Sequence, residues 1–223
     1  MPISSSFRWI LVLSVVVLVA HPTVVHAETN LNFVLGEKLL DSDDWPVGDS
    51  QGMLAFLSTF GPSSWPVQVA IDVVGSGSAE GSFFASRPEI EFHGEDIVQS
   101  TFELDVGVRK IWRLDRARPF VGGGLAVIWG RQDRAIFQPP RFDPDGHWIY
   151  PELSVIVSEE DEAPGVWVDG GIFWRMGNRF NLGLEARFSR AELGFATRDV
   201  QAGGFSLGLI LGWGWGGGPR IVR

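Results

Sequence analysis

Residues 203–215 read GGFSLGLILGWGW, and the architecture of the whole chain can be argued outward from them. Phe205, Leu207, Leu209, Leu211, Trp213 and Trp215 share one parity, and Gly204, Ser206, Gly208, Gly212 and Gly214 share the other, with Ile210 the one large intruder. A period of two belongs to a strand, not to a helix. A water-soluble sandwich would dress its outer face with Lys, Glu or Thr, whereas here a wall of large apolar groups backs onto nearly bare backbone. Lipid outside and a cramped interior fit that pattern, so the stretch reads as the closing strand of a transmembrane β-barrel.

The same alternation recurs upstream. Residues 31–40 put Leu31, Phe33 and Leu35 on one face, with the register open from Glu37 onward, and residues 51–60 are apolar on both parities, so their faces stay undecided. Trp65, Val67, Val69, Ile71 and Val73 oppose Gln68, Ala70 and Asp72; Phe102, Leu104, Val106, Val108 and Trp112 oppose Glu103, Asp105, Gly107 and Arg109. Lys110 falls on the outward parity, where a long side chain can reach the interface. Val121, Leu125, Val127 and Trp129 oppose Gly122, Gly124 and Ala126; Val166, Val168, Ile172 and Trp174 oppose Asp169, Gly171 and Arg175. Phe180, Leu182, Leu184, Ala186 and Phe188 oppose Asn181, Gly183, Glu185, Arg187 and Ser189.

The expectation is an all-β, eight-stranded antiparallel up-and-down transmembrane barrel with strands near 31–40, 51–60, 65–75, 100–113, 119–130, 165–176, 180–190 and 203–215. Strands of about ten residues suit a tilted crossing. Connections after the second, fourth and sixth strands are short, and the others are longer, chiefly 76–99 and 131–164, within which 148–157 is read as a separate hairpin. Short periplasmic turns alternating with long external loops are the habit of outer-membrane barrels. Trp65, Trp112, Trp174, Phe180, Trp213 and Trp215 all fall at the short-turn end on the outward parity, the arrangement of a membrane-interface girdle. An eight-stranded soluble barrel of the lipocalin kind is the competing fold. Its apolar ligand cavity does not suit an inward phase read as Gly, Ala, Ser and charges of both signs.

Composition narrows the function. The chain of 223 residues has net charge −9, and removal of Arg8 with an N-terminal leader takes the remainder to −10. An acidic chain without a basic stripe is a poor partner for nucleic acid. No cysteine is present, which excludes disulfides, thiolate metal sites, a thiol nucleophile and a lipidated N-terminal cysteine. Twenty-eight glycines and ten tryptophans suit a closed barrel in lipid. Arg8, the uncharged run at 9–20 (WILVLSVVVLVA) and Val25-His26-Ala27 read as a cleavable signal peptide over 1–27, leaving 28–223 as one barrel domain. The run is too short to span as a helix.

The segments 118–130 (RPFVGGGLAVIWG), 171–191 (GIFWRMGNRFNLGLEARFSRA) and 203–215 resemble the OmpA/OmpX-like superfamily of small outer-membrane β-barrels. The resemblance implies an outer-membrane location in a Gram-negative envelope, assembly by the barrel-assembly machinery, and contact with outer-membrane lipid and lipopolysaccharide. It covers most of the mature chain and departs from the family at the end, where 216–223 follow Trp215 in place of a terminal aromatic residue. No peptidoglycan-binding domain, and so no cell-wall tether, is expected.

Asp72, Glu103, Asp105, Arg109, Asp169, Arg175, Glu185 and Arg187 would face the lumen. Charges in a low-dielectric interior need partners, and eight strands leave room for little beyond side chains. A salt-bridged plug is therefore expected, centred on Arg187 beside Glu185 or Glu103; a gated polar path is the alternative. Catalysis would need a rim acid, base or nucleophile, and only His93 and His147 remain after the leader, the latter in a Pro-Asp-Gly turn with Glu152 and Ser154 downstream. Neither the acids Asp41, Asp43, Asp44 and Asp49 nor the run Glu159, Glu160, Asp161 and Glu162 has a spacing that specifies a cation site. No cofactor, metal or catalytic residue is assigned. The reading is a monomeric, non-enzymatic outer-membrane protein with a structural or surface-interaction role, any specificity lying in loops that carry Phe137, Phe142, Trp148 and Tyr150. The alternatives are a narrow channel or lateral-opening transporter for small solutes or apolar molecules, and, further off, a lipid A-modifying enzyme.

Overall fold

Alternation of apolar and small or polar residues produces strands, and in the computed structural model they run β1 (Ala27–Leu39), β2 (Ser50–Pro62), β3 (Gln68–Glu80), β4 (Glu95–Ile111), β5 (Ala117–Phe137), β6 (Arg141–Phe142), β7 (Trp148–Ile149), β8 (Leu153–Met176), β9 (Phe180–Arg190), β10 (Glu192–Gly194), β11 (Asp199–Gln201) and β12 (Gly204–Trp215). The structure describes residues 27–40, 44–45, 50–62, 64–80, 95–137, 141–142, 145, 148–149, 153–196 and 198–216. Residues 1–26 of the expected leader, Asp41, Asp43, Asp49, His93, His147, Tyr150 and Glu152 lie outside them.

Eight strands close into a ring in the order β1-β12-β9-β8-β5-β4-β3-β2, all antiparallel, while β6-β7 and β10-β11 are small separate hairpins. The register fixes the barrel's shape. From Leu39, pairing passes through Phe205, Phe188, Val168, Gly123, Val108, Val69 and Phe60 and returns to β1 at Thr29, ten residues below its start. With about 3.3 Å of rise and about 4.8 Å between strands, that stagger tilts the strands about 41° and gives a backbone radius of about 8 Å. Little remains inside but side-chain volume.

Large outward groups such as Leu35, Leu54, Val106, Leu125, Val168, Leu184, Leu207 and Leu209 are exposed around the outside, whereas Asp72, Glu103, Asp105 and Arg187 are buried. A hydrocarbon solvent satisfies such a surface, and water would not. The two undecided strands resolve with Phe33, Leu35 and Glu37 outward and Lys38 inward on β1, and with Gln51, Met53, Ala55 and Leu57 inward on β2.

The expected loops 76–99 and 131–164 are shorter than the sequence suggested. β3 reaches Glu80 and β4 starts at Glu95. β5 and β8 stay paired from Ala117↔Trp174 to Ile136↔Val155 and Phe137↔Leu153, so 148–157 is not a hairpin of its own. The reason is solvent: above the membrane both faces of a strand meet water, so the two-residue hydrophobic period that marks a spanning strand disappears. The β-branched run Val155-Ile156-Val157 still favours an extended chain.

Close backbone approach inside the ring is clear where β4 meets β5. A Cβ on Gly124 would overlap the Val106 carbonyl oxygen, whereas one on the outward Gly52 would meet only the Gly77 carbonyl oxygen, at 3.9 Å. Gly124→Val is expected to abolish the compact, faster-migrating form of the unboiled protein on a detergent gel, and Gly52→Val to retain it.

Candidate functional site

Every second residue of a barrel strand points inward, so β3, β4, β8 and β9 deliver their charges to the axis. Asp72, Glu103, Asp105, Arg109, Asp169, Arg175, Glu185 and Arg187 are all buried. Six of them form one cluster. Arg187 gives Nε to Glu185 at 3.0 Å and Nη2 to Asp72 at 2.5 Å, and its Nη1 bonds Asp105. Arg109 gives Nη2 to Asp72 at 2.6 Å and to Asp169. The Trp167 ring lies 4.9 Å from the Arg187 guanidinium carbon and 5.6 Å from that of Arg109, which also stands 5.4 Å from the Phe120 ring. Two cations thus meet aromatic faces and carboxylates together, an arrangement that holds a guanidinium far better than either alone.

The other two charges lie outside that cluster. Glu103 accepts from Lys38 Nζ at 2.5 Å and from Ser189 Oγ at 3.2 Å, and the same ammonium reaches Thr101 Oγ1 at 3.1 Å and the Ala202 carbonyl at 3.0 Å. Arg175 gives Nε to Asn181 Oδ1 at 3.2 Å, bonds Asn30 Oδ1 and stands 3.5 Å from Glu28, which also pairs with Arg113. Sequence reasoning missed Lys38 and Glu28. Extending the Leu31, Phe33, Leu35 parity would have turned Lys38 inward; Glu28 was hidden by its place beside the expected cleavage point.

The lumen is more apolar than the mostly small and charged space the sequence suggested. Val34, Met53, Leu57, Phe120, Phe173 and Ile210 pack into one apolar cluster, and Trp45, Ile128, Trp167, Leu193, Phe195 and Val200 belong to another. Inward glycines explain the room: a Cβ on Gly171 would stand 2.7 Å from the Phe120 ring, so the glycine of one strand accommodates the aromatic group of its neighbour. Most of the second cluster lies toward the external end of the lumen. Trp45 gives Nε1 to the Gln201 carbonyl at 2.7 Å, Gln201 N bonds Asp44 Oδ2 at 2.8 Å, and the Trp45 and Phe195 rings meet edge to face at 6.3 Å.

On the outside, Trp65, Trp112, Trp174, Trp213 and Trp215 are exposed and Phe180 is half-buried against Trp213, 6.1 Å between ring centres. Trp65 and Trp112 sit just beyond the ends of β3 and β4. Carried through the register, all six fall within about 6 Å along the axis. Phe102 and Trp129, 5.5 Å apart, lie on the same outer face about 27 Å higher, close to the ~25 Å apolar band of such barrels.

Above that band the rim is uneven. β9 ends at Arg190, paired with Val166, so residues 153–165 of β8 have β5 on one side and no paired strand on the other among the described residues. Gly194 N donates to Asp161 Oδ2 at 2.7 Å and braces this wall against β10. Ile136, Val155, Ile156 and Val157 are exposed on it. Among the described residues no group of His, Cys, Asp and Glu could hold a metal ion.

No protein-family model matches the sequence, and no characterised protein matches it by sequence. Solved structures do. The attachment invasion locus protein of Yersinia pestis, solved with the heparin analogue sucrose octasulfate, superimposes with a TM-score of 0.52 at 12% identity, over 85% of this chain and 99% of that one. A major outer membrane protein from Thermus thermophilus gives 0.52 at 11% identity, over 85% and 98%. At such identities the likeness concerns the fold. The chain thus has the fold of the small eight-stranded outer-membrane barrels, and the apolar band around its wall assigns it to the outer membrane.

Proposed function

We propose that the chain is a non-enzymatic surface-interaction protein: a barrel closed by its own side chains that carries a sheet above the membrane for docking a partner. The observation that supports this most is the one-sided edge of β8. Residues 153–165 offer a strand edge of the kind that pairs with an extended segment of another chain. Val155, Ile156 and Val157 supply apolar contacts and Glu159, Glu160, Asp161 and Glu162 a negative field. That field disfavours a sulfated sugar such as the one bound by the Yersinia protein. It favours an extended, lysine- or arginine-bearing peptide segment. The six aromatic residues at the periplasmic end act as the interface girdle in this reading, and the leader is removed before Glu28. An alternating Val-Lys peptide is expected to bind the folded barrel in a salt-sensitive manner. Charge reversal at Glu159 and Glu160 should weaken it at least tenfold in a fluorescence anisotropy titration, about 1.4 kcal/mol; unchanged affinity would reject the docking edge.

The cluster around Arg187 then serves as a plug. In planar bilayers the protein should show no steady conductance, and a stable open level would favour the channel reading instead. Arg187→Met strands buried carboxylates and is expected to cost about 3–5 kcal/mol in urea unfolding from detergent. Arg131→Gln, which breaks an exposed 2.8 Å pair with Asp133, should leave the unfolding midpoint nearly unchanged.

A further inference from the structure

At the periplasmic rim β3 and β4 separate. Gln68↔Arg109 is the last paired position at that end, and beyond it residues 64–67 and 110–113 diverge around a notch of ≈ 220 Å³. Its lining includes Glu28, Trp65, Gln68, Lys110, Trp112 and Arg113. The notch is smaller than the pockets that enclose whole drug-sized ligands. It lies level with the tryptophans, the depth at which lipid headgroups meet hydrocarbon.

The chemistry of the notch has both signs. Lys110 points outward and has no ion-pair partner among the described residues. Arg113, partly exposed, is held beside it by Glu28. Gln68 is buried; its Nε2 faces the Glu28 carbonyl oxygen at 3.5 Å, while its Oε1 has no hydrogen-bond partner. A buried acceptor without a donor is costly, and Gln68 is one of the residues lining a notch that also carries two cations.

We propose that this notch binds the phosphoethanolamine headgroup of a phospholipid in the periplasmic leaflet. Lys110 and Arg113 hold the phosphate, Gln68 Oε1 and the Glu28 carboxylate accept from the primary ammonium, and Trp65 and Trp112 flank the glycerol end. The lone acceptor sets the selectivity, because a quaternary choline has no N–H to give it. A phosphoglycerol headgroup brings no cation to Glu28.

Native mass spectrometry of the folded barrel released from nanodiscs of equal phosphatidylethanolamine, phosphatidylglycerol and phosphatidylcholine reads this directly. The ethanolamine lipid should be retained over each of the others by about fivefold, and Lys110→Gln, on the outer wall, should remove most of that retention while the heat-modifiable form persists. Gln68→Leu should equalise ethanolamine and choline lipids; should that variant not fold, the ratio in the parent protein decides. Equal retention of the three lipids, retention unaffected by Lys110→Gln, or displacement by inorganic phosphate as effective as by lipid would each overturn the assignment.

Discussion

A guanidinium on the axis of a lipid-embedded barrel is tolerable only if anions from several strands converge on it, and that convergence organises this molecule. Arg187 stands on β9 and gathers Asp72 from β3, Asp105 from β4 and Glu185 from its own strand. No two neighbouring strands could supply that set. The contacts exist because a stagger of ten over eight strands brings opposite walls within one side-chain length of the axis. Closure of the ring thus brings these charges to their partners, and the outer wall is left predominantly apolar.

Aromatic and aliphatic groups share the interior with these charges. Trp167 packs against both arginines, and Phe120 and Phe173, 6.1 Å apart, fill the space beside them. Such packing lowers the local dielectric and strengthens the ion pairs it surrounds. Toward the outside of the cell, Trp45, Leu193 and Phe195 belong to a buried apolar cluster. The barrel is thus filled in two manners, ionic at mid-depth and apolar toward the external end.

How much of this could be read from the chain follows from where each residue meets lipid. Strands such as 180–190 and 203–215 were legible because one parity faces hydrocarbon and tolerates nothing polar. Residues 51–60 were not, since Met53, Ala55 and Leu57 turn apolar groups into the lumen and erase the contrast with Leu54 and Phe56. The upper halves of β5 and β8 escaped for the opposite reason, because both their faces meet water. The inward parity of Glu103, Arg109 and Arg187 was visible, but not their partners: that Glu103 meets Lys38 depends on register across the β1–β12 junction, which sequence period alone does not encode.

Assembly of the ring turns on that junction. The first strand joins the last, from Thr29↔Trp215 to Leu39↔Phe205, and Lys38 beside it ties Glu103 on the far wall to the Ala202 carbonyl that leads into the final strand. A nascent sheet lacking its C-terminal segment would hold neither that tether nor the ring around it. The seam and the ammonium tether therefore both draw on residues 202–215, so the last segment of the chain supplies the closing strand and an anchor for the far wall together.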